Sequence, residues 1–308
     1  MTKASAPGKI ILFGEHAVVY GRPALAVPVT QVRADVEVVD SRRAGIWINA
    51  PDVDLHAEIN TLPSDHPIAA VIHNFLFLWR VSPFPQLEID ITSSIPVASG
   101  LGSGAAVTVA LTRALSSKLN FPMNAEEVNA FAYEIEKIHH GTPSGIDNTV
   151  ITFAKPVYFV RGQPIEIFPV GSPFTIVIGD TGIRAPTRES VGDVRKLWEA
   201  DPKKWERIFD EVGTIAREAR KAIESGDWTR LGKLMNQNHV LLQDMTVSSP
   251  ELNELAAAAR RAGALGAKMS GGGRGGNMIA LVTPDLADTV SRSLLEAGAQ
   301  NTIITQVI

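Results

Sequence analysis

The stretch SGLGSGAAVTVA, residues 99–110, carries three closely spaced glycines and continues into small residues that favour a helix. Glycines let backbone N–H groups approach a ligand, and the N-terminus of a following helix attracts anions. Gly100, Gly102 and Ala105 also satisfy the dinucleotide fingerprint G-x-G-x-x-G/A, which needs a preceding strand and a later acidic residue. Here TSSIPVAS separates the strand-like LEIDI from Gly100, and Asn120 stands where the acid belongs. The loop therefore predicts either a phosphate site or a tight packing turn, and argues against a nicotinamide enzyme.

The composition of the whole chain excludes several classes of protein. The 308 residues are 45% hydrophobic and 20% charged, with a net charge of -4 and no run of basic residues. We therefore expect a globular protein of two lobes without a nucleic-acid partner. The chain has no cysteine, which excludes disulfides and thiolate metal sites. The start MTKASAPGKI lacks the apolar segment of a secretion signal, and the charge-free stretch 91–112 is interrupted by glycines and a proline. These features predict a cytoplasmic protein with no membrane contact.

Residue periodicity predicts a mixture of strands and helices. Alternating residues indicate strands at 34–40 and 87–91, and small residues indicate a helix at 105–119. Asn124 with Glu127 forms a capping-box pattern that starts a helix ending near residue 140. In the second half, stripes of apolar residues predict further helices, with Gly226 ending one and Asp227 capping the next. The last residues predict strands on both sides of a helix at 285–297. The elements do not alternate strictly, so the fold class is α+β, with a boundary near residues 169–174.

Several polar residues stand in unusual settings. A second glycine loop, 271–276, suggests that two such loops hold a polyphosphate between the lobes. Lys9 starts an apolar run that is followed by Glu15 and His16, while Asp147 lies in a Pro/Gly turn after Glu136. Each residue alone has an ordinary structural explanation, such as a solvated strand end or a turn that bonds its own backbone. Their combination favours a site.

Three segments resemble the signature motifs of the GHMP kinases, and together they extend over nearly the whole chain. They are APGKIILFGEHAVVYG (6–21), PVASGLGSGAAVTVA (96–110) and GAKMSGGGRGGNMIAL (266–281). The resemblance implies a two-lobed GHMP kinase fold, with a ribosomal-protein-S5-like N-terminal lobe and a ferredoxin-like α+β C-terminal lobe. It implies lobes at 1–170 and 171–308, with the active site in the cleft between them.

Within the family, GEHAVVYG and the later HGTPSGIDN (140–148) are most similar to the mevalonate kinase branch. This similarity implies transfer of the γ-phosphoryl group of ATP to the 5-hydroxyl of mevalonate, with Mg²⁺ and in a possible homodimer. Two alternatives stay open. One is a kinase of the same fold that acts on phosphomevalonate or a sugar, and the other is a non-catalytic ATP-binding sensor.

The resemblance also implies roles for individual residues. Asp147 matches the catalytic base and Lys9 the lysine beside it, which stabilises the developing negative charge. Glu136 matches a metal-binding glutamate. Its partner serine is replaced here by Gly104, so either Ser103 substitutes or the metal holds an extra water.

The remaining candidates contact the substrate and the nucleotide. Glu15 and His16 match positions near mevalonate, and Thr187 matches a threonine that bonds it. Arg184 or Arg188 is a candidate for the substrate carboxylate, and Arg274 interrupts the usual glycine run. The residues expected to bind ATP are Pro96, Ala98, Ser99, Gly100, Leu101, Gly102, Ser103, Gly104, Ala105, Gly271 and Gly272.

Overall fold

The protein is described by a computed structural model that covers residues 1–96, 99–140, 143–185 and 187–308. The strands are β1 (Thr2–Phe13), β2 (Ala24–Asp40), β3 (Ile46–Ala50), β4 (Leu55–Glu58), β5 (Leu87–Ser93), β6 (Val157–Phe159), β7 (Glu166–Ile167), β8 (Phe174–Asp180), β9 (Gly266–Met269), β10 (Asn277–Val282) and β11 (Asn301–Val307). The helices are α1 (Pro67–Leu78), α2 (Ser103–Lys118), α3 (Ala125–His140), α4 (Ile146–Phe153), α5 (Thr187–Ala200), α6 (Pro202–Ser225), α7 (Trp228–Asp244), α8 (Pro250–Arg261) and α9 (Ala287–Glu296).

The first of two compact units comprises Met1–Gly8, Val32–Val97 and Leu101–Ala154. Its strands pair in the order β4-β3-β5-β2, with β3 parallel to β5 and the other pairs antiparallel. In the part of β2 from Val32 onward, buried side chains alternate with more exposed ones, so one face of this part enters the core. Helices α1 to α4 pack against one another, and α2 also contacts β5. This arrangement fixes the first glycine loop at the start of a helix that is held by three others.

The second unit comprises Lys9–Gln31, Ala98–Gly100 and Lys155–Ile308. It contains an antiparallel sheet in the order β11-β8-β10-β9, in which Met278 pairs with Gly179 on one side and Met269 on the other. Helices α7, α8 and α9 pack on these strands, and α6 packs on α7. The core between them is fully buried and includes Val177, Leu255 and Val290. The second glycine loop joins the edge strand β9 to its neighbour β10 in this sheet.

Local capping signals account for several helix boundaries. The capping box forms at α3, where the Glu127 amide donates to Asn124 Oδ1 and the Asn124 amide donates to Glu127 Oε2. Gly226 ends α6 in the left-handed region, and Asp227 accepts from the Arg230 amide at the start of α7. These predictions from sequence are confirmed.

The mixture of helices and sheets confirms the predicted α+β class. The lobe boundary at residues 170 and 171 stays a prediction, because the compact units combine segments from different parts of the chain. Across the described residues, no helix has the length and apolar character that a bilayer crossing requires.

Candidate active site

The first glycine loop leads directly into helix α2. Gly102 is the N-cap residue and has φ 79°, a left-handed conformation that favours glycine. Helix α2 begins at Ser103, and its first turn contains no acidic residue. A side chain at Gly104 would meet no atom within 4 Å, so there is open space beside this turn. Free N-terminal amides, a helix dipole and open space together form a place where a phosphate group is favoured.

The second glycine loop is held at several points within the second unit. Ser270 donates from Oγ to the Ile11 carbonyl at 2.7 Å, and Asn277 donates from Nδ2 to the Ser99 carbonyl at 2.6 Å. A Cβ atom at Gly273 would lie 2.0 Å from the Val247 carbonyl oxygen, so only glycine fits there. The Asn277 contact places the start of the first glycine motif, at Ser99, against the end of the second loop.

Arg274, which interrupts the glycine run, forms an ion pair with helix α5. Its Nη1 lies 2.6 Å from Asp193 Oδ2, and both side chains are partly exposed. The Asp193 carboxyl has its pKa lowered, first by the hydrogen bond from Arg274 and then by Lys196. Arg274 therefore anchors the loop to α5.

Glu15, His16 and Thr187 come together at this loop. His16 lies at the start of a short 3₁₀ helix, Ala17–Tyr20, with φ 61°, and its Nε2 lies 3.0 Å from the Gly272 carbonyl oxygen. A Cβ atom at Gly272 would lie 2.8 Å from Thr187 Oγ1, so Thr187 is packed against the same glycine. His16 and Thr187 thus lie against the same loop residue, and the Glu15 carboxyl lies beside the backbone of Gly271.

His16 is neutral at physiological pH. Burial lowers its pKa to about 4, and the nearby Arg274 charge acts in the same direction. A carbonyl oxygen only accepts, so the Nε2 atom that faces Gly272 carries the proton. The Nδ1 atom is then an acceptor, and it is buried without a hydrogen-bond partner among the described residues.

Lys268 is a functional candidate that the sequence analysis did not identify. It is fully buried on β9 and donates to Glu15 Oε1, which is also buried. Burial raises the pKa of the Glu15 carboxyl, and the Lys268 ammonium opposes that rise. Lys268 lies inside a quoted motif, but its partner is 253 residues away, and no sequence pattern signals that pairing.

The candidate base and the candidate metal ligands belong to the first unit. Asp147 lies in the first turn of α4, Glu136 lies on α3 and Ser103 begins α2, and these three helices contact one another. Helix α4 is tied to α3 because Asn148 donates from Nδ2 to Asn129 Oδ1 at 2.6 Å. That Asp147, Glu136 and Ser103 lie within reach of one shared site stays a prediction.

Other predicted residues fall into three groups. Lys9 is buried in β1 and belongs to the second unit, so its place beside Asp147 stays a prediction. Arg184 and Arg188 are exposed. Ala98 lies outside the described residues, as does part of the motif HGTPSGIDN. Among the residues that are described, no cluster of three or more histidine or acidic side chains has the arrangement of a metal site.

Comparison with known proteins identifies the family. The profile of the GHMP kinases N terminal domain matches residues 68–155, and that of the GHMP kinases C terminal domain matches residues 219–300. Mevalonate kinase of Pyrococcus abyssi is 37% identical over 312 residues, covering 96% of this chain and 92% of that protein. Mevalonate kinase of Pyrococcus horikoshii is 38% identical over 317 residues, with the same coverage of 96% and 92%. The crystal structure of L. major mevalonate kinase in complex with R-mevalonate has a TM-score of 0.87 and 31% identity, over 100% of this chain and 96% of that one. The chain therefore belongs to the GHMP kinase family, among the mevalonate kinases.

Proposed function

We propose that this protein transfers the γ-phosphoryl group of ATP to the 5-hydroxyl of mevalonate, giving 5-phosphomevalonate and ADP for isoprenoid biosynthesis. Membership of a kinase family implies ATP and a small-molecule acceptor. The observation that carries the proposal is that His16 and Thr187 lie against Gly272 while the Glu15 carboxyl lies beside Gly271 of the same loop. The L. major relative, which holds R-mevalonate, supports the choice of acceptor.

Asp147 acts as the general base in this proposal. The acceptor hydroxyl must lose its proton as the bond to phosphorus forms, and a carboxylate within hydrogen-bond reach accepts it. Asp147 lies in the first turn of α4, where the helix dipole stabilises a negative charge. Lys9 stabilises the charge on the attacking oxygen. A base in a helix first turn is also held in a fixed direction, as in-line transfer requires.

The start of α2 binds the phosphates. The amides of Ser103, Gly104 and Ala105 precede the helical hydrogen bond from the Ala106 amide to the Gly102 carbonyl, and Gly104 leaves open space beside them. Mg²⁺ takes hard oxygen ligands, often one or two protein groups together with phosphates and water. Ser103 and Glu136 fit that donor type, although Gly104 stands where relatives have a second serine. The ion would neutralise charge on the phosphates, while Ser103 and Glu136 keep it at the helix end.

The proposed mevalonate site is polar, and most of its polar atoms accept hydrogen bonds. Glu15 and neutral His16 each offer a buried acceptor atom to a hydroxyl group. Thr187 is exposed at the start of α5 and provides both a donor and an acceptor. Arg184 or Arg188 supplies the positive charge for the carboxylate. The homodimer and the cytoplasmic location predicted from sequence stay predictions.

The experiment that tests the proposal measures ADP release with ATP and Mg²⁺ and four acceptors: mevalonate, phosphomevalonate, homoserine and galactose. We expect turnover with mevalonate and a loss of about 10²- to 10⁴-fold in kcat in Asp147→Asn, the range for removal of a general base. Asp40→Asn, which removes an exposed carboxylate paired with Lys118, is the matched control and keeps its activity.

The other outcomes each change the proposal. Turnover of a different acceptor would overturn the substrate and leave the kinase mechanism. ATP binding without turnover of any acceptor, in folded protein, would instead favour a sensor. Full activity of Asp147→Asn would remove Asp147 from the role of base.

A further inference from the structure

Lys268 is a charged side chain sealed inside the second unit. It is 0% exposed on β9, and its Nζ atom donates to Glu15 Oε1 and to the Met269 carbonyl at 2.7 Å. The same Nζ lies 5.7 Å from the centroid of the Phe13 ring. A buried ammonium costs free energy unless it is paired and hydrogen-bonded, and here it has both kinds of partner. The proposed phosphoryl transfer to mevalonate does not use this charge.

The other titratable groups around the pair are neutral or positive. His239 from α7 accepts a hydrogen bond from the Met269 amide, and burial lowers its pKa to about 4. Arg260 from α8 donates to the Ala267 carbonyl at 3.2 Å, and His16 is neutral. Glu15 is therefore the group whose charge Lys268 balances directly.

The second oxygen of Glu15 is the important atom. Glu15 Oε2 is buried with no side-chain partner among the described residues, and the backbone groups of Glu15 and Gly271 lie close enough to the carboxyl to lower its pKa. His16 Nδ1, beside it in the chain, is buried without a hydrogen-bond partner among the described residues. A buried acceptor without a donor loses its hydrogen bond to water and gains none, so a ligand hydroxyl that donates to it would restore that bond. Because Lys268 donates to Oε1, the ionised carboxylate keeps Oε2 as an acceptor for a donating group.

We propose that Lys268 is a positioning residue for the acceptor site: it holds Glu15 Oε1 so that Oε2 accepts a hydrogen bond from a substrate hydroxyl. This inference rests on the proposed function and names a residue that acts through Glu15 without touching the substrate. Without Lys268, burial raises the pKa of the Glu15 carboxyl further and favours its acid form, because the opposing charge is gone. A protonated carboxyl is free to rotate and donate, and the site loses its fixed acceptor.

The test is a double-mutant cycle with Lys268→Met and Glu15→Gln. For Lys268→Met we expect the KM for mevalonate to rise about 10- to 100-fold, the value of a hydrogen bond to a charged group, with less than a twofold change in the KM for ATP. The double variant is no worse than Glu15→Gln alone. Lys118→Met, which removes an ion pair with Asp40 elsewhere, keeps both KM values.

A pH profile separates positioning from simple structural damage. In Lys268→Met, kcat/KM for mevalonate rises with pH relative to wild type, because burial raises the pKa of the Glu15 carboxyl and a higher pH restores its charge. The double variant shows no such gain. Thermal melting reports folding, and if Lys268→Met does not fold, calorimetric binding of mevalonate to Glu15→Gln gives the decisive value, an affinity at least tenfold weaker than wild type.

Several results would overturn the inference. One is an equal increase in the KM for mevalonate and the KM for ATP in folded Lys268→Met. Another is a double-mutant cycle in which the effects of Lys268→Met and Glu15→Gln on the KM for mevalonate add. The third is an unchanged affinity of Glu15→Gln for mevalonate. Absence of mevalonate turnover in wild type would overturn the proposed function alone, and the cycle would then be measured with the acceptor that is phosphorylated.

Discussion

Replacing His239 by asparagine should make the folded protein less sensitive to mild acid. His239 lies on α7, is 2% exposed, and accepts a hydrogen bond from the Met269 amide at its Nδ1 atom, 3.3 Å away. Burial first, and then the charges of Arg260 and Lys268, lower its pKa from 6.5 to about 4. Asparagine offers an oxygen near the position of Nδ1 and does not titrate in this range.

The sign follows from proton binding in the two states. The folded pKa lies below the unfolded one, so the unfolded chain binds the proton more readily. The resulting stability is present above pH 6.5, begins to decline there, and is lost as the pH falls through about 4. Between pH 7 and pH 5 this one group contributes a loss of about 2 kcal/mol in the free energy of unfolding. The contribution of His16 is common to both proteins and cancels.

Urea denaturation at pH 7 and pH 5 measures the effect. We expect the wild type to lose about 2 kcal/mol more than His239→Asn over this interval. His56→Asn, at an exposed histidine on β4, is the control and should lose as much as the wild type. An equal loss in His239→Asn and wild type would refute the reasoning, since the buried imidazole would then not be the group that responds to acid.

Two further predictions concern the glycine loops. Gly272→Ala places a methyl group 2.8 Å from Thr187 Oγ1, so Thr187 must move. The KM for mevalonate should rise roughly tenfold, because small misplacements cost up to about 10² in rate. An unchanged KM would show that Thr187 does not bind mevalonate. In Gly104→Ser the added Cβ meets no atom within 4 Å, and the new hydroxyl lies beside Ser103. The Mg²⁺ concentration for half-maximal rate should fall, because the hydroxyl adds a ligand for the ion. Gly104→Ala should only stabilise α2, by about 1 kcal/mol. Equal Mg²⁺ requirements in the serine and alanine variants would exclude a ligand role for this position.

Local signals predicted the helices whose ends are set by neighbouring residues. The capping box at Asn124, the glycine at Gly226 and the cap at Asp227 act within a few residues, so the sequence displays them directly. Helix α1 has no such local signal, because apolar residues lie on both its buried and its exposed faces. Phe75 is buried, whereas Phe77 is 84% exposed. Its periodicity is therefore hidden.

The sequence predicted which residues belong to the candidate site, but it did not predict which of them contact one another. Glu15, His16 and Thr187 were identified through motifs, but their meeting at the second glycine loop depends on bonds such as His16 to Gly272, 256 residues apart. Lys268 was missed for the same reason. A buried lysine and an exposed one are identical in the sequence, and only the tertiary fold places one opposite a buried glutamate.

The two glycine loops look alike in sequence, but the structure gives their glycines different physical causes. At Gly273 and Gly275 an added Cβ would lie 2.0 Å from the Val247 carbonyl oxygen and 2.4 Å from that of Ile183. These glycines are required by close backbone packing, whatever ligand binds. At Gly104 an added Cβ meets nothing, so that position leaves room beside the amides of α2. The absence of a side chain therefore serves packing at Gly273 and Gly275, whereas at Gly104, and at Gly271 in the second loop, it leaves space that a phosphate can occupy.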